Sequence, residues 1–281
     1  MLYDKDLEAD EQRIGIIAGN GVYPQLLAGA ARAAGVEHVA VAAFTGETEE
    51  AMGELADAIE WMRVGQLGKM IKFFKSEEVT RVMMAGQISP GNLFDLRPDM
   101  RTLVMIGKLK ERNAESIFGA IGDEMAKDGI DLLPATTYME DRIAGPGLVA
   151  GPAIDGKREA EMAFGFRMAK EVSALDIGQT VIVRKGTVLA VEAFEGTNEC
   201  MKRGGALGKG EAVMVKVSKP RQDVRFDVPC IGERTVETAG EAGIKCVVVE
   251  AGKTLILDEG SLSFRCEELG ITIYAKEDES N

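Results

Sequence analysis

Residues 222–229 read Gln-Asp-Val-Arg-Phe-Asp-Val-Pro. In an extended strand Asp223, Arg225 and Asp227 point to one side, while Val224, Phe226 and Val228 point to the other. Two carboxylates then flank a guanidinium. Hydrolysis of a diphosphate asks for such a set: hard oxygen ligands to hold Mg2+ or Mn2+, and a fixed cation to take up charge developing on phosphoryl oxygens. Spacing alone leaves a competing reading open, a solvated strand face with internal ion pairs.

Two further groups could line a site. In Val191–Thr197 (VEAFEGT), Glu192 and Glu195 end an apolar strand, and Thr197 is placed to cap a following helix through its hydroxyl. Gly19-Asn20-Gly21 follows the apolar run IGIIA and precedes an alanine-rich helix. Exposed amides and a helix N-terminus at that position favour a phosphate or another anion. Gly86-Gln87, at the end of the run VMMA, is placed to line the same cleft. As a dinucleotide fingerprint the first loop fits poorly, because Pro24 replaces the third glycine and no acidic residue ends the second strand. An NAD-dependent oxidoreductase is therefore disfavoured, and a plain tight turn is the competing reading.

The elements that must position these residues follow from the apolar periods. IGIIAG, the helix QLLAGAARAAG and VEHVAVAAF form a βαβ unit, which favours a parallel sheet. IEWMRV, LGKMIKFFKSEE and VTRVMMAGQIS repeat the cycle, and two helical stretches follow near 99–111 and 114–128. The glycine- and proline-rich stretch 144–156 breaks regular structure. Beyond it a helix over 157–173, a hairpin turning at Lys185-Gly186 and a strand around RFDVP give a different texture. The predicted organisation is an acidic extension (1–13), a Rossmann-like parallel-sheet domain (14–145), a linker (146–156) and a mixed α/β catalytic domain (157–281).

Composition narrows the function classes. The 281 residues carry 46 Asp and Glu against 33 Lys and Arg, a formal charge of -13 that argues against a general nucleic-acid binder. The single histidine, His38, excludes multi-histidine metal sites. Cys200, Cys230, Cys246 and Cys266 lie far apart without a CxxC pair and read as reduced thiols. No apolar run approaches the roughly 18–20 residues of a membrane span, and the acidic start is unlike a signal peptide, so a cytoplasmic address is expected.

The strings IAGNGVYP, DIGQTVIV, VLAVEAFEGT and KPRQDVRFDVPCIGERTVE resemble the LpxI type of UDP-2,3-diacylglucosamine pyrophosphatase, and the likeness runs from about residue 14 to 275. The resemblance implies a step of lipid A biosynthesis: Mg2+-assisted attack of water on the diphosphate, releasing UMP and 2,3-diacylglucosamine 1-phosphate. It also implies a nucleotide-fold domain followed by a distinct second domain. The family's catalytic aspartate falls on Asp227. Asp223 is then its helper and fellow metal ligand, with Arg225 and Lys219 as phosphate partners. Gln179, Glu192, Glu195 and Thr197 are expected to support the substrate, and Gly19, Asn20, Gly86 and Gln87 to contact its nucleotide or sugar. The family pattern EGTD departs here to Asn198. The implied lipid substrate brings peripheral contact with the inner membrane, and a homodimer is a common default. Competing functions are a nucleotide-sugar-binding or regulatory protein without turnover, and a pyrophosphatase for another nucleotide sugar.

Overall fold

The computed structural model describes residues 11–88, 98–111 and 113–278. The chain divides into two units, Met1–Glu140 with Asp223–Asp227, and Asp141–Gln222 with Val228–Asn281. Most of the acidic extension expected at the start lies outside the described residues, and Arg13 already opens the first strand.

The first unit contains β1 (Arg13–Ala18), α1 (Tyr23–Ala33), β2 (His38–Phe44), β3 (Ala58–Met62), α2 (Leu67–Ser76), β4 (Arg81–Ala85), α3 (Met100–Gly107), α4 (Ala114–Ala126) and β5 (Asp131–Leu132). Its five strands are all parallel, in the order β3-β2-β1-β4-β5. Parallel strands are covered on both faces and read as unbroken apolar runs. Accordingly Ile14, Ile16, Val39, Val41 and Val82 have no exposed surface. Successive strands are added on one side of β1 as far as β3 and then on the other side from β4. The order therefore reverses between β1 and β4, where open parallel sheets form their ligand crevice.

The second unit contains β6 (Gly147–Ala150), α5 (Gly156–Ala174), β7 (Thr180–Arg184), β8 (Thr187–Val191), α6 (Thr197–Gly208), β9 (Ala212–Lys216), β10 (Cys230–Ile231), α7 (Glu233–Glu241), β11 (Ile244–Glu250), β12 (Leu255–Ile256), α8 (Glu259–Leu269) and β13 (Thr272–Lys276). Six strands form a mixed sheet in the order β6-β13-β11-β9-β7-β8, and β10 pairs separately with β12. Alternation sorts the sheet's two faces. Val181, Val183, Val213 and Val215 pack with Met162, Phe166 and Ala169 of α5. Ile182, Met214 and Val247 pack with Met201 of α6, Val236 of α7 and Leu262 of α8. The result is an α/β/α sandwich. The expected hairpin turns at Lys185-Gly186, both in left-handed conformations suited to a tight two-residue turn.

Two expectations change. Residues 147–150, expected within the linker, form β6 at the edge of this sheet, because Ala150, Leu148 and Gly147 find antiparallel partners in β13. The stretch RFDVP, expected as a strand, is a turn over Val224–Phe226. Cys200, Cys246 and Cys266 are buried free thiols, and burial pushes Cys200 and Cys246 up to about 12 and Cys266 up to about 11. Among the described residues no helix is long and apolar enough to cross a membrane.

Candidate active site

In the first unit the two glycine loops predicted to share a cleft do meet, at the reversal point of the sheet. The Gly19 amide donates to the Ala85 carbonyl at 2.8 Å, and Asn20 and Gln87 exchange backbone bonds of 2.7 and 3.2 Å. Close approach explains the residue types. A Cβ on Gly19 would lie 2.5 Å from the Gln87 carbonyl oxygen, and Gly86, at φ +90°, would place one 2.7 Å from the Asn20 carbonyl oxygen. α1 starts just beyond, with Pro in its first turn and no side chain capping it.

Asp223–Asp227 also belongs to this unit, and its backbone is not extended. Phe226 and Asp227 amides return to the Asp223 carbonyl at 3.2 and 2.9 Å. The Asp223 carboxylate accepts the Arg225 amide at 3.0 Å, the local bond by which aspartate competes with a strand ladder. Tertiary contacts hold the turn. Phe226 packs on Phe118 of α4 with ring centroids 5.6 Å apart, and the Val224 carbonyl accepts the Ala135 amide at 2.8 Å. The Ala135 carbonyl in turn accepts the buried Tyr23 hydroxyl at the start of α1. Tyr23, which sequence reasoning passed over, thus ties the helix after the first glycine loop to the strap that carries the aspartates. Its only signal was a tyrosine beside a helix-starting proline.

The turn gives the two aspartates different tasks. Asp223 grips Arg225 bidentately, with Nη2 at 2.7 Å from Oδ2 and Nε within 3.1 Å of both oxygens. The guanidinium holds the Asp223 carboxyl below the usual carboxylate range, and Asp223 in turn raises Arg225. The other Arg225 terminal nitrogen, Nη1, faces Asp123 at 4.0 Å. Asp227 is the open carboxylate: its amide returns to Asp223, but among the described residues its side chain has no hydrogen bond or ion pair. For a divalent cation the fit is therefore through Asp227. Both Asp223 oxygens are already occupied, and among the described residues no cluster of three or more Asp, Glu, His or Cys could hold a metal. Mg2+ is commonly held by one or two carboxylates together with substrate phosphates, which such a single open carboxylate suits.

In the second unit the predicted polar residues gather at one end of the sheet. Glu192 follows β8, is 8% exposed, and its Oε1 accepts the Thr197 hydroxyl at 2.8 Å. Thr197 is therefore not the expected cap: Gly196 holds the N-cap position and Thr197 is the first residue of α6. Its hydroxyl turns to Glu192, which has been taken out of water and needs a donor. Lys216, the last residue of β9 and also 8% exposed, reaches the same hydroxyl at 3.5 Å. Sequence reasoning missed it, although a lysine inside VMVKV was the available signal. Glu192 Oε2 and the Thr180 hydroxyl are buried without partners among the described residues. Nearby, Gln179 accepts from Gln222 at 3.3 Å, and Lys219 pairs with Asp176 at 2.5 Å. Glu195 pairs with Arg203, which lowers its carboxyl, and so serves that ion pair and not the buried cluster.

An open parallel sheet with apposed glycine loops at its reversal point, continued in one chain by a mixed-sheet unit in which Thr197 joins the buried Lys216 and Glu192, defines a two-unit α/β protein whose polar residues collect at strand ends. The chain belongs to the LpxI family: the model of the LpxI N-terminal domain matches residues 13–142 and that of the LpxI C-terminal domain residues 145–274. It is similar to UDP-2,3-diacylglucosamine pyrophosphatase LpxI of Caulobacter vibrioides, with 30% identity over 273 residues, covering 93% of this chain and 96% of the relative.

Proposed function

We propose that this protein hydrolyses the diphosphate of UDP-2,3-diacylglucosamine to UMP and 2,3-diacylglucosamine 1-phosphate, with a divalent cation, Mg2+ or Mn2+. Family membership supports the reaction class. The observation that carries the assignment of residues is the division of labour in the turn, where Arg225 engages Asp223 and leaves Asp227 open.

Asp227 acts on the attacking water, accepting its proton or orienting its lone pair as oxygen attacks phosphorus and the bridging P–O bond breaks. The departing phosphate oxygen carries the electron pair away. Arg225, held rigid by Asp223, presents its outer N–H groups to phosphoryl oxygens, a preorganised cation that costs no reorganisation during reaction. The apposed loops Gly19-Asn20 and Gly86-Gln87 receive the nucleotide or sugar at the reversal point. Taken by itself, the second unit's polar group, Lys216 and Lys219 with Gln179, Thr197 and Glu192, has the positive charge and hydrogen-bonding groups to bind a phosphorylated sugar. Asp227 is the residue that would hold a cation jointly with the diphosphate. A bound Mg2+ would neutralise phosphoryl charge and acidify water.

The test is release of UMP from UDP-2,3-diacylglucosamine with Mg2+ and with EDTA, for the intact protein and Asp227→Ala. Turnover lost in the variant, with folding and substrate binding retained, supports the reading. No UMP from the intact protein across Mg2+, Mn2+ and several acyl lengths would move the function to a nucleotide-sugar-binding protein or a pyrophosphatase for another substrate.

A further inference from the structure

We propose that α3 docks this protein on an anionic phospholipid surface. Three large apolar side chains on the helix face solvent: Met100 at 74% exposure, Leu103 at 49% and Val104 at 52%. Their spacing of three and four residues places them on one stripe, which Gly107 and the exposed Lys108 extend.

The helix needs nothing from that stripe in order to fold. Asp99 caps it by accepting the Thr102 amide at 2.9 Å, and the buried Thr102 hydroxyl donates to the Gly65 carbonyl at 2.6 Å. Met105 is buried in the core, and Arg101 is spent on Glu124 and Asp128. The outward apolar residues are therefore additional to the helix's own packing, and a contiguous exposed apolar patch marks an interaction surface.

Charge selects the occupant. Of the described residues that continue the stripe, two are cations, Lys108 and Lys110, and one a carboxylate, Glu111, in a chain of formal charge -13. Lys108 and Lys110 are exposed. An apolar stripe continued by lysines is the composition of a helix lying in the headgroup layer of an anionic bilayer. Repulsion from the acidic remainder is screened beyond about 8–10 Å at ordinary ionic strength, whereas the lysines act at contact. The inference deepens the proposed function, since a diacylated substrate resides in a bilayer and an enzyme resting there meets it without extracting it from water.

The test is sedimentation of the full-length chain with phosphatidylcholine vesicles, with and without phosphatidylglycerol, in low and high salt and with no substrate present. The expected result is binding to the anionic vesicles that weakens with salt. Lys108→Glu with Lys110→Glu should lower the bound-to-free ratio at least about 25-fold, taking roughly fivefold for each lysine at the surface. Leu103→Ser with Val104→Ser should also lower it, with melting and turnover on detergent-dispersed substrate unchanged. The proposal is overturned if the intact chain ignores anionic vesicles, or if both variants bind as it does. It is also overturned if the serine variant alters the sedimentation mass without vesicles, which makes the face a contact between copies. A raised KM for dispersed substrate with unchanged vesicle binding would make it an acyl-chain subsite and overturns docking as well. Vesicle binding by a chain that releases no UMP would instead sink the hydrolase reading and leave docking in place.

Discussion

Asp223 and Arg225, two residues apart, close on one another in a bidentate pair with a shortest contact of 2.7 Å, and by doing so they leave Asp227 as the open carboxylate of the strap. A strand would have set all three side chains on one face as equals. The turn makes them unequal, because the guanidinium engages Asp223, while among the described residues no cation pairs with Asp227.

Asp227→Asn keeps the shape and removes the charge. UMP release should fall about 10²- to 10³-fold in kcat, the scale of losing a positioned base or an electrostatic contact in a reaction centre. The melting temperature should stay within about 1–2 °C, as for a surface substitution. Steady-state kinetics beside a thermal melt checks both.

Arg225→Ala removes the guanidinium and should let the Asp223 carboxyl titrate at higher pH, toward the ordinary carboxylate range. In the intact protein Arg225 depresses that carboxyl. A depressed carboxylate contributes stability that is present above its unfolded pKa and lost as pH falls through the folded one. The intact strap should therefore hold to lower pH than the variant's. Carbon-13 titration of the Asp223 carboxyl reads the shift directly, and an unmoved midpoint would refute the pairing.

Gly86→Ala forces a Cβ to within 2.7 Å of the Asn20 carbonyl oxygen at φ +90°. Strain of this kind costs about 1–3 kcal/mol, so the urea midpoint should drop. Because the Asn20-Gln87 bridge must open, UMP affinity measured by calorimetry should weaken as well. A variant that loses stability but binds UMP unchanged would separate these loops from the nucleotide.

Lys216→Met tests whether the buried ammonium serves the fold or the substrate. Replacing a buried charge by an apolar chain of similar length is often neutral or stabilising. Losing a charged hydrogen bond to substrate costs about 10- to 100-fold in kcat/KM. The expected outcome is a melting temperature held or raised with kcat/KM reduced. A lowered melting temperature with full activity would assign Lys216 to structure alone.

Much of the architecture was legible in residue order. Unbroken apolar runs such as IGIIA and VAVAAF signal parallel strands covered on both faces, and they lie in the five-stranded sheet. The Lys185-Gly186 turn and the helices from α5 onward follow local chemistry that needs no distant partner. The polar residues worth watching were legible too, since Glu192, Thr197 and Gln179 stand out at the margins of apolar strands.

What the sequence by itself determined, then, was most of the elements, the family and the identities of the polar residues, because periods of two and 3.6 and short motifs are written locally. Only the tertiary structure decided how those residues are used. Residues 223–227 become a turn because Phe226 finds Phe118 and the Val224 carbonyl finds the Ala135 amide. Thr197 serves Glu192 and not the helix end because Glu192 is buried beside it, and residues 147–150 become a strand because β13 offers an edge. Each of these outcomes depends on a partner brought close by folding, and such a partner leaves no period in the sequence.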